Sequence, residues 1–284
     1  MNDYVQLTKP RITWLILMST GVGFFFGAQA GGWNWLVLLH TIVGTGLIAS
    51  GTAALNQWME RDADARMNRT KHRPLPSGTI TAKRAFWFAV TLSVLGFLEL
   101  WLGANLTTAL LGAVTLASYL FVYTPLKRVT PHSTTVGAFP GAMPPVIGYA
   151  AAHGQLNWEA LALFAILFFW QFPHFYSIAW LYREDYGRAG IRMLPVVDRT
   201  GERTVRQILI TGLILIPVSL VPTWLGMTGN VYGVGALLLG MMYLWYGFRV
   251  SRERTLLRAR AVLMASIVYL PLLYVLLLAD HTRL

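Results

Sequence analysis

Residues 35–64 read WLVLLHTIVGTGLIASGTAALNQWMERDAD. To residue 55 the run carries no charged side chain and no large polar one but His40, and as a helix it is long enough to cross the ~30 Å hydrocarbon core of a bilayer. The last nine residues change character: Asn56, Glu60, Asp62 and Asp64 arrive together, with Arg61 among them. A membrane span that ends in a cluster of acids sets the reading of the whole chain.

Outward from this stretch, apolar runs of similar length recur at about 12–30, 84–103, 106–124, 134–152, 158–181, 207–227, 231–249 and 261–279. With 35–58 they make nine candidate spans. Hydrophobic residues fill 55% of 284 positions and charged residues 12%, about half the charged share of a soluble domain. The expected fold is an all-α polytopic membrane protein of about nine transmembrane helices, one integral-membrane domain over residues 1–284 with the lipid bilayer as solvent. Cysteine is absent, which excludes disulfides, thiolate chemistry, iron–sulfur ligation and covalent c-type haem attachment. Met1 to Arg11 carry neither a small-residue cleavage site nor an Arg-rich transit segment. A bacterial or archaeal plasma membrane, with span one as an uncleaved signal, is the expected location.

The net charge of +11 raises nucleic acid as a partner, but its placement argues against one. Lys9 and Arg11 precede span one, seven basic residues separate spans two and three, Lys127 and Arg128 follow span four, and six arginines follow span six. Five more lie at 249–260, and with nine spans only Arg283 falls on the opposite side. The positive-inside rule makes the loaded side cytoplasmic, with the N-terminus inside and the C-terminus outside. Orientation and anionic lipid account for the 249–260 cluster. They do not account for the acids that join the bases in two long inner loops, roughly 59–83 and 182–206. Each loop runs from acids through arginines to a Leu-Pro step, Leu75–Pro76 and Leu194–Pro195, so the two halves form a weak four-helix repeat with a ninth span added. Repeats also occur in transporters, whose sites lie at the midplane. Here the charge sits at the cytoplasmic mouth, and Glu99 is the one acid well inside an apolar run. That favours an enzyme.

If span two stays helical through its end, Asn56, Glu60 and Asp64 fall at i, i+4 and i+8 on one face, with Asp62 on the other side. Oxygen ligands that repel one another call for a hard cation, and Mg²⁺ fits because water and phosphate oxygens complete its octahedron. Arg66, Arg69, Lys71 and Arg73 follow, and guanidinium forks match phosphate oxygens, so the pair of features reads as a metal–diphosphate site. A solvated, salt-bridged helix end is the alternative.

The series Asn56, Glu60, Asp64 and then Arg69-Thr70-Lys71-His72-Arg73-Pro74-Leu75 resembles the first signature of the UbiA superfamily of intramembrane prenyltransferases. Tyr123-Thr124-Pro125-Leu126-Lys127-Arg128 is similar to that family's Tyr-x-x-x-Lys-Arg segment. The resemblance covers nearly the whole chain. It implies a UbiA-type bundle in which the acids bind Mg²⁺ bridging to a donor diphosphate, held also by Arg66, Arg69, Lys71, Arg73, Lys127 and Arg128. The family's second signature, Asp-x-x-x-Asp, is altered here: Tyr182-Arg183-Glu184-Asp185-Tyr186 puts tyrosines at both aspartate positions. Only Glu184 and Asp185 offer carboxylates there, and the implied metal-ligand and catalytic set is Asn56, Glu60, Asp64 and Asp185. The alteration argues against the quinone-type members.

The segments Trp170-Gln171-Phe172-Pro173-His174-Phe175, Gly141-Ala142-Met143-Pro144-Pro145 and Thr8-Lys9-Pro10-Arg11 are similar to the haem-farnesylating branch of the superfamily. That branch implies farnesyl diphosphate as donor and haem B as acceptor, and gives His174 a haem-facing role, with axial ligation as one form of it. A membrane-embedded histidine is a functional candidate by default; one beside a proline can also serve freed backbone groups. His132 is a weaker candidate, and His40 and His153 are expected to be structural. Cleaving an allylic carbon–oxygen bond needs diphosphate stabilised by Mg²⁺ and cations, and a dry, aromatic pocket for the allylic cation. Trp58 and the aromatics of span six are candidates for that surface. The sequence identifies no protein partner in oxidase assembly.

Overall fold

The computed structural model describes residues 3–282; Met1, Asn2, Arg283 and Leu284 lie outside the described residues. A short helix α1 (Asp3–Leu7) leads into α2 (Pro10–Gly31), α3 (Trp35–Asp64), α4 (Ala82–Gly103) and α5 (Leu106–Ala117). A π-helical turn over Ser118–Tyr123 extends α5 into α6 (Thr124–Leu126). Then come α7 (Ser133–Gly141), α8 (Pro144–His153), α9 (Trp158–Leu181), α10 (Arg183–Arg188), α11 (Leu194–Val197), α12 (Glu202–Trp224), α13 (Asn230–Arg252) and α14 (Leu256–Ala279). Helix starts are set by side-chain caps: Asn34, Thr81, Asn105, Asn157 and Thr255 each accept hydrogen bonds from the N–H groups of the first turn.

Eight helical stretches among the described residues are long and apolar enough to span a membrane, against the nine expected. The difference is the expected fifth span, which is two consecutive helices, α7 and α8, separated at Ala142–Met143 where Pro144 and Pro145 follow. A proline lacks the N–H that would continue the ladder, and it restricts the residue before it. The chain still crosses there. Ahead of α7, the Lys127 carbonyl accepts from the Arg192 backbone N–H at 2.7 Å, which ties it to the loop that follows α9. At the far end of α8, the Ala150 carbonyl accepts from Asn105 Nδ2 at 2.9 Å, beside the start of α5. The two long loops therefore lie at the same end of the bundle. The helices that each loop joins, α3 with α4 and α9 with α12, pack against each other, as a four-helix repeat requires.

Large apolar side chains such as Leu102, Trp158 and Trp35 are exposed around the bundle, where a bilayer replaces water as solvent. The core of the second half, between α9, α12, α13 and α14, buries Tyr232, Tyr243 and Tyr269. Their hydroxyls are satisfied internally: Tyr232 donates to the Ser219 carbonyl at 2.7 Å, and the Tyr269 and Ser219 hydroxyls are 2.6 Å apart. Between α2 and α8 the contact is backbone on backbone. A Cβ at Gly23 would collide with the Pro145 carbonyl, and one at Gly148 with the Thr20 carbonyl; small residues allow such close approach in membranes.

Candidate diphosphate and metal site

Helix α3 continues unbroken to Asp64, so Asn56, Glu60 and Asp64 share a face, and all three are buried. Asp62 points the other way and is exposed. The Asn56 amide donates to Glu60 Oε2 at 2.8 Å and to Thr124 Oγ1 at 3.2 Å. Lys127 Nζ lies 3.1 and 3.0 Å from the two Glu60 oxygens. Arg73 donates to Asp64 Oδ2 at 2.8 Å, reaching back from the loop, while Thr70 Oγ1 donates to the Asp64 carbonyl at 2.9 Å. Each acid of the helix face thus meets a cation from another segment, which disposes of the solvated helix end.

Lys9 is a third cation of the site, and the sequence gives little warning of it. It sits between α1 and α2 with φ +49°, in the left-handed region that side chains rarely adopt. Pro10 follows as the first residue of α2. That turn sends the side chain inward, where Nζ donates to Asn56 Oδ1 at 3.2 Å. Burial, with Arg73 and Lys127 nearby, pulls the ammonium's pKa down to about 7 against the pull of Glu60 and Asp64. Lys127 goes the other way: burial lowers it, but the oxygens of Tyr123 and Glu60 outweigh that and hold it above the lysine range. Three basic side chains, Lys9, Arg73 and Lys127, therefore face two carboxylates.

The aromatic surface of the site is also not the expected one. Lys127 Nζ lies 4.6 Å from the Tyr123 ring centroid and 5.9 Å from that of Tyr119, both presented by the π-helical turn. Trp58, expected in the pocket, packs instead on Phe86 of α4 at 5.0 Å with Arg61 over it, because it lies on another face of α3. In α9, Phe164 stacks with Phe168 at 5.7 Å and meets Phe139 of α7, while Trp170 stacks on His174.

Asp185 departs from the expected ligand set. Its carboxylate accepts from the backbone N–H groups of Asn68 and Arg69 at 3.3 and 3.2 Å and pairs with Arg188. Burial would raise its pKa, but those N–H groups and Arg188 hold it below the usual carboxylate range. Asp185 thus ties the second loop to the first and does not join Glu60 and Asp64; no three Asp, Glu or His side chains converge on one point among the described residues. The Arg69 guanidinium lies 4.6 Å from the Tyr182 ring centroid and bonds the Tyr186 hydroxyl at 3.0 Å. The two tyrosines in place of aspartates therefore hold an arginine. Arg66 donates to the Ala189 carbonyl at 3.1 Å, while Lys71, Arg128 and Glu184 are exposed.

Glu60 and Asp64, one turn apart beside the Asn56 amide, are the hard oxygen donors that Mg²⁺ takes, with few protein ligands needed. The donor set fits the ion. His174 Nδ1 lies 2.7 Å from Ser266 Oγ of α14, so its hydrogen bond crosses to another helix and does not serve the backbone beside Pro173. His132 is exposed; His40 pairs with Glu99 at 2.8 Å and His153 packs on Tyr149 at 5.3 Å, as structural histidines would.

A sequence model described as the UbiA prenyltransferase family matches residues 16–277. A protoheme IX farnesyltransferase of Solibacter usitatus is 66% identical, with 99% of each chain covered. One from Koribacter versatilis is 48% identical over 99% of this chain and 94% of its own. Among solved structures, a digeranylgeranylglyceryl phosphate synthase matches with a TM-score of 0.81 at 15% identity, covering 98% of this chain and 97% of that one. A UbiA homologue from Archaeoglobus fulgidus bound to DMAPP and Mg²⁺ matches with a TM-score of 0.70 at 16% identity, with 98% of each covered. These last two show the shared fold.

Proposed function

The chain belongs to the UbiA prenyltransferase family, and within it we propose that it transfers a farnesyl group from farnesyl diphosphate to a vinyl group of haem B. The observation that carries this is the 66% identity, end to end, to a protoheme IX farnesyltransferase. The site geometry supports it, since buried acids and three cations converge on one helix face. The bond between farnesyl C1 and the diphosphate oxygen breaks, and C1 joins the terminal vinyl carbon. Water adds to the cation left beside the porphyrin and loses a proton, giving the hydroxyethylfarnesyl haem and free diphosphate.

Asn56, Glu60 and Asp64 would hold Mg²⁺, which supplies charge to the departing diphosphate; the homologue solved with DMAPP and Mg²⁺ supports that reading. Lys9, Arg73 and Lys127 would bind the diphosphate oxygens as charge develops on them. Arg69, and at the rim Arg66, Lys71 and Arg128, would draw it in. Asp185 would act by fixing the 68–69 turn, and Tyr119 and Tyr123 would line the allylic carbon's pocket. His174 would face the haem. The multi-pass chain would lie in a bacterial plasma membrane with both long loops in the cytoplasm. Incubating the purified protein with haem B, a quinone precursor, Mg²⁺ and farnesyl diphosphate should give a haem heavier by one farnesyl group plus one hydroxyl; unmodified haem B beside a prenylated quinone precursor would support a quinone-type activity.

A further inference from the structure

Helix α9 carries His174 directly after Pro173, yet the ring is held from across the bundle. Trp170, one turn earlier, stacks on it with centroids 4.8 Å apart and planes at 22°. The Trp170 indole Nε1 donates to the Ser266 carbonyl at 3.0 Å, and His174 Nδ1 meets the Ser266 hydroxyl at 2.7 Å. One residue of α14 therefore grips both rings, one through its backbone and the other through its side chain. Ser266 is fully buried, so no water competes for these contacts.

The protons in this chain can be placed. Ser266 Oγ lies 2.6 Å from the Leu263 carbonyl, and a carbonyl only accepts. The single hydroxyl proton of Ser266 is directed there, which leaves Oγ an acceptor toward His174. Nδ1 must then carry a hydrogen, and in a neutral imidazole the lone pair lies on Nε2. A histidine that binds a metal through one ring nitrogen usually donates from the other to a fixed acceptor, which sets both tautomer and ring orientation.

We propose that Ser266 is a positioning residue for the acceptor: with Leu263 behind it, it fixes His174 as the Nδ1–H tautomer and presents Nε2 to the iron of the haem. The inference rests on the haem-facing reading of His174. Trp170 completes the device by holding the imidazole plane through stacking, while its own anchor on the Ser266 backbone survives any change of the Ser266 side chain.

The test uses the full-length protein in detergent, titrated with haem B and read by the Soret band and by the iron–histidine stretch of the ferrous complex. Ser266→Ala should weaken haem binding by roughly 10- to 100-fold and shift and broaden the stretch, with farnesyl diphosphate affinity unchanged. Ser266→Thr, which keeps the hydroxyl, should retain the wild-type stretch. A Ser266→Ala protein with wild-type haem affinity and stretch, beside a His174→Ala protein that lacks the stretch, overturns the role of Ser266 and leaves His174 as ligand. Ser266→Thr behaving like Ser266→Ala also overturns it, since bulk and not the hydroxyl would then be at work. An unaltered spectrum in His174→Ala removes the haem-facing reading itself.

Discussion

Lys127 Nζ stands within 3.1 Å of both carboxylate oxygens of Glu60, although 67 residues separate them and neither side chain is more than 11% exposed. A pair held this way is coupled: removing one member strands the other's charge in a dry environment, at about 3–5 kcal/mol. Lys127→Met should therefore unfold at markedly lower temperature than wild type. Glu60→Gln/Lys127→Met should recover most of that loss and remain inactive. Thermal melts of the single and double variants check this, and equal destabilisation by both would sink it.

Asp64 has Arg73 as its partner at 2.8 Å, and the metal reading makes the acid indispensable. Asp64→Ala should insert normally but lose roughly 10²–10³-fold in turnover, the scale of removing one electrostatic stabiliser. Wild type stripped by chelator should stop, and restart with Mg²⁺. Full turnover in verified chelator would refute the metal assignment.

For Lys9, the contact with Asn56 places an ammonium in the donor half of the site. Lys9→Met should raise the KM for farnesyl diphosphate roughly 10- to 150-fold, as losing one charged contact of about 1.5–3 kcal/mol does. The KM for haem should hold. Steady-state kinetics with each substrate varied in turn separate the two, and a change confined to haem would remove Lys9 from the donor site.

Because the chain has no cysteine, single substitutions report topology cleanly. Ser77 and Gln155 are both exposed, at opposite ends of the bundle. Ser77→Cys should react with an impermeant maleimide only after the membrane is opened, and Gln155→Cys in intact cells. The reverse pattern would invert the orientation.

Much of this was readable from residue order. The i, i+4, i+8 face of α3 needed only the continuation of the helix, and it is seen in the Asn56–Glu60 hydrogen bond. Lys127 was marked by its motif, although its partner lies in another helix. Lys9 was hidden, since its role depends on a left-handed backbone turn that brings an N-terminal loop against α3. Asp185 misled for a related reason: an acid beside arginines has the same local pattern whether it binds a metal or caps a turn, and only the approach of Asn68 and Arg69 decides. Trp58 failed on direction, the two helical positions that separate it from Asn56 and from Glu60 being enough to turn it from the site to α4. The split of the fifth span was signalled by Pro144 and Pro145, but an apolar run does not show whether a break lies within it.

The seam between α2 and α8 bears on how this gene can vary. Every missense change at Gly23 or Gly148 adds at least one carbon where a carbonyl of the facing helix already stands. No conservative exchange exists at these two codons, unlike the lipid-facing leucines, where one aliphatic residue serves as well as another. In a saturation library, both positions should tolerate no residue but glycine, which would mark them as sharply as the acids of the site although neither touches a substrate.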